Sequence, residues 1–252
     1  MTRQKLILGN WKMFTTAATA VQLAADVVSG IEAGWRVEVG VCPPAPYLGL
    51  VAGELRGTPV ALGAQNVYPE KEGAVTGETG INMLLDLGCR YVLVGHSERR
   101  RLLGEDDEFI NSKARASLAA GLGVILCVGE TREQRQKGQT GAVLKGQLAG
   151  ALAGLTAEQV RRVTVAYEAV WAIGSGESAT PEQAQEVAAR IRELVKGWFG
   201  EEPARALRIL DGGSVNAANA GALLCLPDID GVLIGHPSLD ADQFLSIVRS
   251  FL

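Results

Sequence analysis

The chain has 252 residues, 47% of them hydrophobic but only 5% aromatic, and a formal net charge of -4. A core this poor in rings is filled by Val, Leu, Ile and Ala, which suits parallel strands flanked by helices better than a sandwich or jelly roll. The acidic balance leaves no basic field for nucleic acid or an anionic membrane, so any phosphate must be held locally.

In chain order, short apolar and β-branched runs recur at Leu6–Leu8, Val37–Val41, Val60–Leu62, Tyr91–Val94, Val124–Val128, Val163–Tyr167, Leu207–Leu210 and Val232–Ile234. They predict eight strands. The first run is too short for the apolar part of a signal peptide and no later stretch approaches a membrane span, so a soluble, cytoplasmic protein is expected. After the third run comes Asn66 to Thr79 (residues 66–79), longer than such connections usually are, which predicts a lid or a contact surface. Segments rich in Ala, Leu, Glu, Gln and Arg separate the runs. Thr131-Arg-Glu-Gln134 and Thr180-Pro-Glu-Gln183 fit capping boxes a few residues beyond strand ends, and Pro181 sits where a first-turn proline costs no hydrogen bond. Eight strand–helix alternations with no linker-like stretch predict one α/β domain, residues 1–252, folded as an eight-stranded parallel (β/α)8 barrel.

The four cysteines, Cys42, Cys89, Cys127 and Cys225, lie far apart and show no metal-ligand spacing, so reduced thiols are expected. With only His96 and His236 as histidines, no metal is expected either.

Barrels of this kind place their functional groups at the C-terminal ends of the strands. The polar residues following the runs are Asn10 and Lys12, then Gly95, His96, Ser97 and Glu98, then Glu168, then Asp211, Gly212, Gly213 and Ser214, and finally Gly235 and His236. Taken singly, each reads as an ordinary surface residue. Together, a carboxylate, a histidine and a lysine on one face make an acid–base site with an electrostatic stabiliser, as proton abstraction beside a carbonyl requires. The glycines after the seventh and eighth runs offer backbone N–H groups where barrels often bind phosphate. Ala169-Val-Trp-Ala-Ile-Gly-Ser-Gly176 is too apolar for an exposed turn and suits a lid, with Gly174 adding an N–H contact.

Asn10-Trp-Lys-Met13, Gly95-His-Ser-Glu-Arg99, Tyr167-Glu168 with Val170-Trp-Ala-Ile-Gly174, and Gly212-Gly-Ser-Val215 resemble, in this order, the motifs of the triosephosphate isomerase family over the whole chain. The resemblance implies a TIM barrel that interconverts dihydroxyacetone phosphate and D-glyceraldehyde 3-phosphate through an enediolate, a step of glycolysis and gluconeogenesis. Glu168 would move the proton and a neutral His96 would polarise the carbonyl, its charge disfavoured if Ser97 and Glu98 open a short helix. Lys12 would stabilise negative charge, Asn10 would orient the oxygens and Glu98 would steady Lys12. The N–H groups of Gly174, Ser214, Gly235 and His236 would grip the phosphate of the triose substrate, while Cys127 packs behind the site. No metal or organic cofactor is implied. A homodimer is, with the loop 66–79 docking into the partner and Thr76 reaching the region of Asn10 and Lys12.

The chain departs from the family's pattern at several points. Asp211 stands where a tyrosine usually bonds the closed lid, Ala169 replaces a proline, and Ser175-Gly-Glu-Ser178 replaces a more usual threonine and lysine. His236 replaces the second of two glycines and precedes Pro237, which predicts an extended residue 236. Two other readings stay open at this point: a barrel enzyme for another phosphorylated sugar or an aromatic precursor, and a non-enzymatic phosphometabolite sensor. The intact set of Asn10, Lys12, His96 and Glu168 speaks against both.

Overall fold

The computed structural model describes residues 3–32, 34–173 and 177–252. Each apolar run forms a strand: β1 Leu6–Asn10, β2 Glu38–Cys42, β3 Ala61–Ala64, β4 Tyr91–Val94, β5 Gly123–Val128, β6 Val163–Tyr167, β7 Arg208–Asp211 and β8 Gly231–Ile234. Every neighbouring pair is parallel, and β8 pairs back onto β1 to close an eight-stranded barrel. Four strands end where the runs end, whereas β1, β2, β3 and β7 continue one or two residues further, taking in Asn10 and Asp211, because ladder bonds use backbone groups whatever the side chain.

Alternation along each strand sorts the side chains into two apolar layers. Leu6, Leu8, Cys42, Ala61, Leu93, Ile125, Cys127, Ala166, Leu210 and Leu233 fill the barrel interior, and their neighbours, such as Ile7, Val92, Val165 and Ile209, pack outward against the helices. Both faces are buried, which is why the strands read as continuous apolar runs. At the N-terminal end the interior closes on polar groups: Glu38 accepts from Tyr91 Oη at 2.6 Å and pairs with Arg208 at 2.7 Å.

Both predicted capping boxes form, opening the helices Arg132–Gln136 and Pro181–Phe199. Three more, at Thr16, Thr156 and Asn216, open Ala17–Ser29, Ala157–Val160 and Ala217–Leu224. The long connection after β3 is tied down by Tyr68 N–H to Thr79 O at 2.9 Å and Ile81 N–H to Glu70 O at 3.0 Å. Its base is fixed where Lys113, buried and paired with Glu105, donates to Asn66 Oδ1 at 2.7 Å. Thr76, at the far side of this loop, is exposed. Among the described residues no helix is long and apolar enough to cross a membrane.

Candidate active site

A cavity of about 510 Å³ opens at the C-terminal end of the barrel, lined by Asn10, Lys12, His96, Glu98, Glu168, Ser214, Gly235 and His236 among others. The structure thus brings together groups from the ends of β1, β4, β6, β7 and β8. Of the expected site residues, Gly174 lies outside the described residues. Ser97 and Cys127 sit behind the wall: Ser97 is buried at the start of the helix Ser97–Leu103, and Cys127 is fully enclosed in the barrel interior. Burial drives the Cys127 thiol well above its ordinary value, with the Glu168 charge adding to the effect, which fits packing and not nucleophilic chemistry.

β1 delivers the cationic end. Asn10 is its last residue, buried, and its Oδ1 accepts the backbone N–H of Lys12 at 3.1 Å. That leaves the Asn10 amide donor toward the cavity. Lys12 itself adopts a φ of 50°, a left-handed conformation that an L-residue keeps only when its surroundings hold it. Gln65 supplies the hold, its amide donating to the carbonyls of both Lys12 and Cys42 at 2.8 Å. The strained turn points the ammonium inward, where Nζ meets Glu98 Oε1 at 2.7 Å.

β4 and β6 deliver the acid–base pair. Gly95, with a φ of 72°, makes the tight exit from β4; a Cβ there would also crowd Cys127 O at 3.1 Å. The next residue, His96, caps the helix that follows, its Nδ1 accepting the N–H of Glu98 at 3.3 Å. With that lone pair used, Nε2 carries the proton and points at Glu168 Oε1, 3.0 Å away. Glu168 is 2% exposed and also receives Ser97 N–H at 2.8 Å and Ser97 Oγ at 3.0 Å. Burial alone would raise the Glu168 carboxyl, but the charge and hydrogen bond of His96, with the two Ser97 donors, outweigh it and hold the group below its ordinary value. For His96, burial opposes protonation, and the adjacent Glu168 charge overrides it and raises the imidazole. The Glu98 charge adds to that rise and the Lys12 charge opposes it.

The loops after β7 and β8 line the rest of the cavity. Gly212 N–H is spent on Tyr167 O at 2.7 Å and Gly213 N–H on Asp211 Oδ1 at 3.2 Å. A Cβ on Gly212 would crowd Tyr167 O at 3.0 Å and Glu168 Cγ at 3.3 Å, so a side chain there would press on the base and its strand. Ser214, Gly235 and His236 have backbone N–H groups that donate to no protein acceptor among the described residues, and all three line the cavity. Residue 236 is not extended as expected. It opens a 3-10 turn, His236–Leu239, because the N–H and hydroxyl of Ser238 both close onto Gly235 O, at 2.9 and 2.7 Å. Its imidazole lies edge-on to the Phe14 ring, with 6.1 Å between centroids.

Sequence reasoning missed Gln65 and Glu130. Glu130 is fully buried behind the site, where it accepts from Tyr167 Oη at 3.1 Å and pairs with Arg135 at 3.0 Å. Gln65 follows β3 directly and Glu130 follows β5 by two residues, so asking which polar groups follow those strands would have found both.

Comparison with known proteins agrees with this geometry. The family model described as Triosephosphate isomerase matches residues 5–251. A triosephosphate isomerase of Carboxydothermus hydrogenoformans is 49% identical over 247 residues, covering 98% of each chain. One from Rhodopirellula baltica is 48% identical over 250 residues, covering 99% of this chain and 98% of its own. Matches of this extent take in the strand ends that carry Asn10, Lys12, His96 and Glu168, and the chain belongs to the triosephosphate isomerase family.

Proposed function

We propose that this chain, an aldose–ketose isomerase of that family, interconverts dihydroxyacetone phosphate and D-glyceraldehyde 3-phosphate in the cavity at the barrel's C-terminal end, with Glu168 as the base. The observation that carries the assignment is the meeting of Glu168 and His96 Nε2 at 3.0 Å beside a turn whose N–H groups face the cavity. An acidic C–H beside a carbonyl needs a base at carbon and a donor at oxygen, and these two side chains are that pair.

The steps follow from the residues. The N–H groups of Ser214, Gly235 and His236 hold the phosphate, joined by Gly174 from the lid. Glu168 leaves Ser97, takes the proton from the carbon next to the carbonyl and becomes a neutral acid. The electron pair moves onto the carbonyl oxygen, where His96 Nε2–H, the Lys12 ammonium and the Asn10 amide meet the enediolate's charge. His96 Nε2 gives its proton to the former carbonyl oxygen and takes one from the neighbouring hydroxyl. The proton on Glu168, returned to the neighbouring carbon as that second oxygen becomes the carbonyl, completes the isomerisation with no net oxidation. Glu98 holds the ammonium in place and Ser97 holds the resting base. Lid closure excludes water, strengthening every charge interaction inside.

The whole chain, residues 1–252, acts as one barrel domain within a homodimer, located in the cytoplasm and serving glycolysis and gluconeogenesis. The dimer reading is supported by the exposed Thr76 and by apolar side chains on the units after β1 and β4: Met13 is 94% exposed, Leu102 68% and Leu103 64%. Such side chains call for a covering surface.

A coupled assay with D-glyceraldehyde 3-phosphate tests the assignment. Glu168→Gln is expected to lower kcat by roughly two to four powers of ten while a phosphorylated analogue still binds. Equal losses in binding and rate would overturn the assigned role.

A further inference from the structure

Arg132, in the helix Arg132–Gln136 after β5, reaches both limbs of the lid. Its Nη2 donates to Trp171 O at 2.7 Å, on the limb leading in, and pairs with Glu177 Oε2 at 2.8 Å, on the limb leading out. One turn further, Arg135 lies over the Trp171 ring at 4.3 Å and pairs with the buried Glu130. The helix therefore grips the incoming limb by backbone and by ring, and Arg132 also joins it to the outgoing limb. Glu177 makes this join possible, because its carboxylate gives the guanidinium an anionic partner.

The contacts belong to a resting arrangement. Both carboxylate oxygens of Glu168 are engaged by Ser97 and His96, so the base is turned away from any substrate carbon. The lid begins at the next residue, Ala169, which couples a swing of Glu168 to movement of the limb that holds Trp171.

We infer that Arg132 is a positioning residue for this reaction, fastening both limbs of the lid in the resting arrangement and releasing them when the phosphate is enclosed. The inference rests on the proposed isomerase reading. A fastener of this kind lowers the population of the closed state, and the apparent affinity for any ligand that requires closure falls in proportion. Both partners are about half exposed, 50% and 52%, so the bond is weak enough to break in each turnover.

The test uses full-length protein and 2-phosphoglycolate, whose carboxylate imitates the two oxygens of the enediolate. Arg132→Leu is expected to tighten its Kd about two- to fivefold and to lower KM by a similar factor without raising kcat. Glu177→Gln should reproduce part of that gain, and the double variant should add nothing to Arg132→Leu. Should Arg132→Leu melt early, Glu177→Gln, which changes only an exposed side chain, carries the same comparison. Unchanged or weaker binding in these variants overturns the inference. A parent protein that fails to turn over D-glyceraldehyde 3-phosphate overturns the function reading instead, so the two failures are distinguishable.

Discussion

Asp211 Oδ1 accepts the N–H of Gly213 at 3.2 Å, so a buried carboxyl closes the turn that leads to Ser214. Burial pushes this carboxyl up from 3.8 to about 6, and the single Gly213 donor offsets only part of the cost. Between those values the folded chain keeps a proton that the unfolded chain has released. Stability therefore falls as pH rises through that window and stays lower above it. Asp211→Asn keeps an oxygen for Gly213 and removes the charge. Urea melts are expected to show the variant more stable at pH 7, by up to about 3 kcal/mol, with the gain vanishing below about pH 4. A gain of the same size at every pH, or a loss at pH 7, would show that the carboxylate has another partner.

The contrast between Asp211 and Gln65 shows what was legible in the sequence. Eight apolar runs announced eight strands because both faces of a parallel strand are buried, and the polar residues at the ends of five of them marked the site. Asn10, Lys12, His96 and Glu168 could be read from their position after a run. What could not be read was anything set by partners far along the chain: the left-handed turn at Lys12 depends on Gln65, 53 residues away, and the resting place of Glu168 on Ser97, 71 away. The turn at His236 departs from the expected extended form for a similar reason, since a proline's steric bias yields to the two bonds Ser238 makes to Gly235.

The proposed dimer has a direct test in the loop 66–79. Thr76 is exposed on a connection whose two ends are fixed by backbone bonds, so a change there alters the contact surface without loosening the fold. Thr76→Arg would force a bulky charge into a fitted interface, which costs binding unless the charge is paired. Sedimentation at micromolar concentration is expected to give a dimer for the parent chain and mostly monomer for the variant. Turnover should fall with the dimer fraction, because Thr76 is proposed to support the partner's site. A parent chain that sediments as a monomer sinks this reading.

At the other end of the barrel, Glu38, Tyr91 and Arg208 form a polar plug remote from the cavity, with Arg90 also on Glu38 at 2.7 Å. Burial would raise the Glu38 carboxyl, but the bonds from Tyr91 and Arg208 outweigh it and hold the group below 4.5. A carboxyl held low contributes stability above its unfolded value and loses it as pH falls through the folded one. Removing one partner strands the others, so Glu38→Ala is expected to cost about 3 kcal/mol at pH 7. Its KM and kcat should stay those of the parent at temperatures where both are folded. A variant that melts normally but works poorly would place Glu38 in the reaction, contrary to its position.

The hydroxyl of Ser97 bears on the base itself. Its bond to Glu168 Oε1 at 3.0 Å favours the ionised carboxylate, as does the neighbouring backbone N–H at 2.8 Å. Ser97→Ala deletes the first donor and keeps the second, so the carboxyl of the free enzyme should move up toward its ordinary value. The acid limb of kcat/KM reports that group in the free enzyme, and it is expected to shift to higher pH. Ser97→Thr, which retains the hydroxyl, should restore the parent profile. KM at neutral pH should change little, because Ser97 stands behind the cavity wall and not among the groups that face the substrate. If the limb stays put while turnover falls equally at every pH, the hydroxyl serves to place the helix Ser97–Leu103 and not to tune Glu168. If both the limb and the rate stay put, the backbone N–H of Ser97 and His96 Nε2 suffice to hold the resting base.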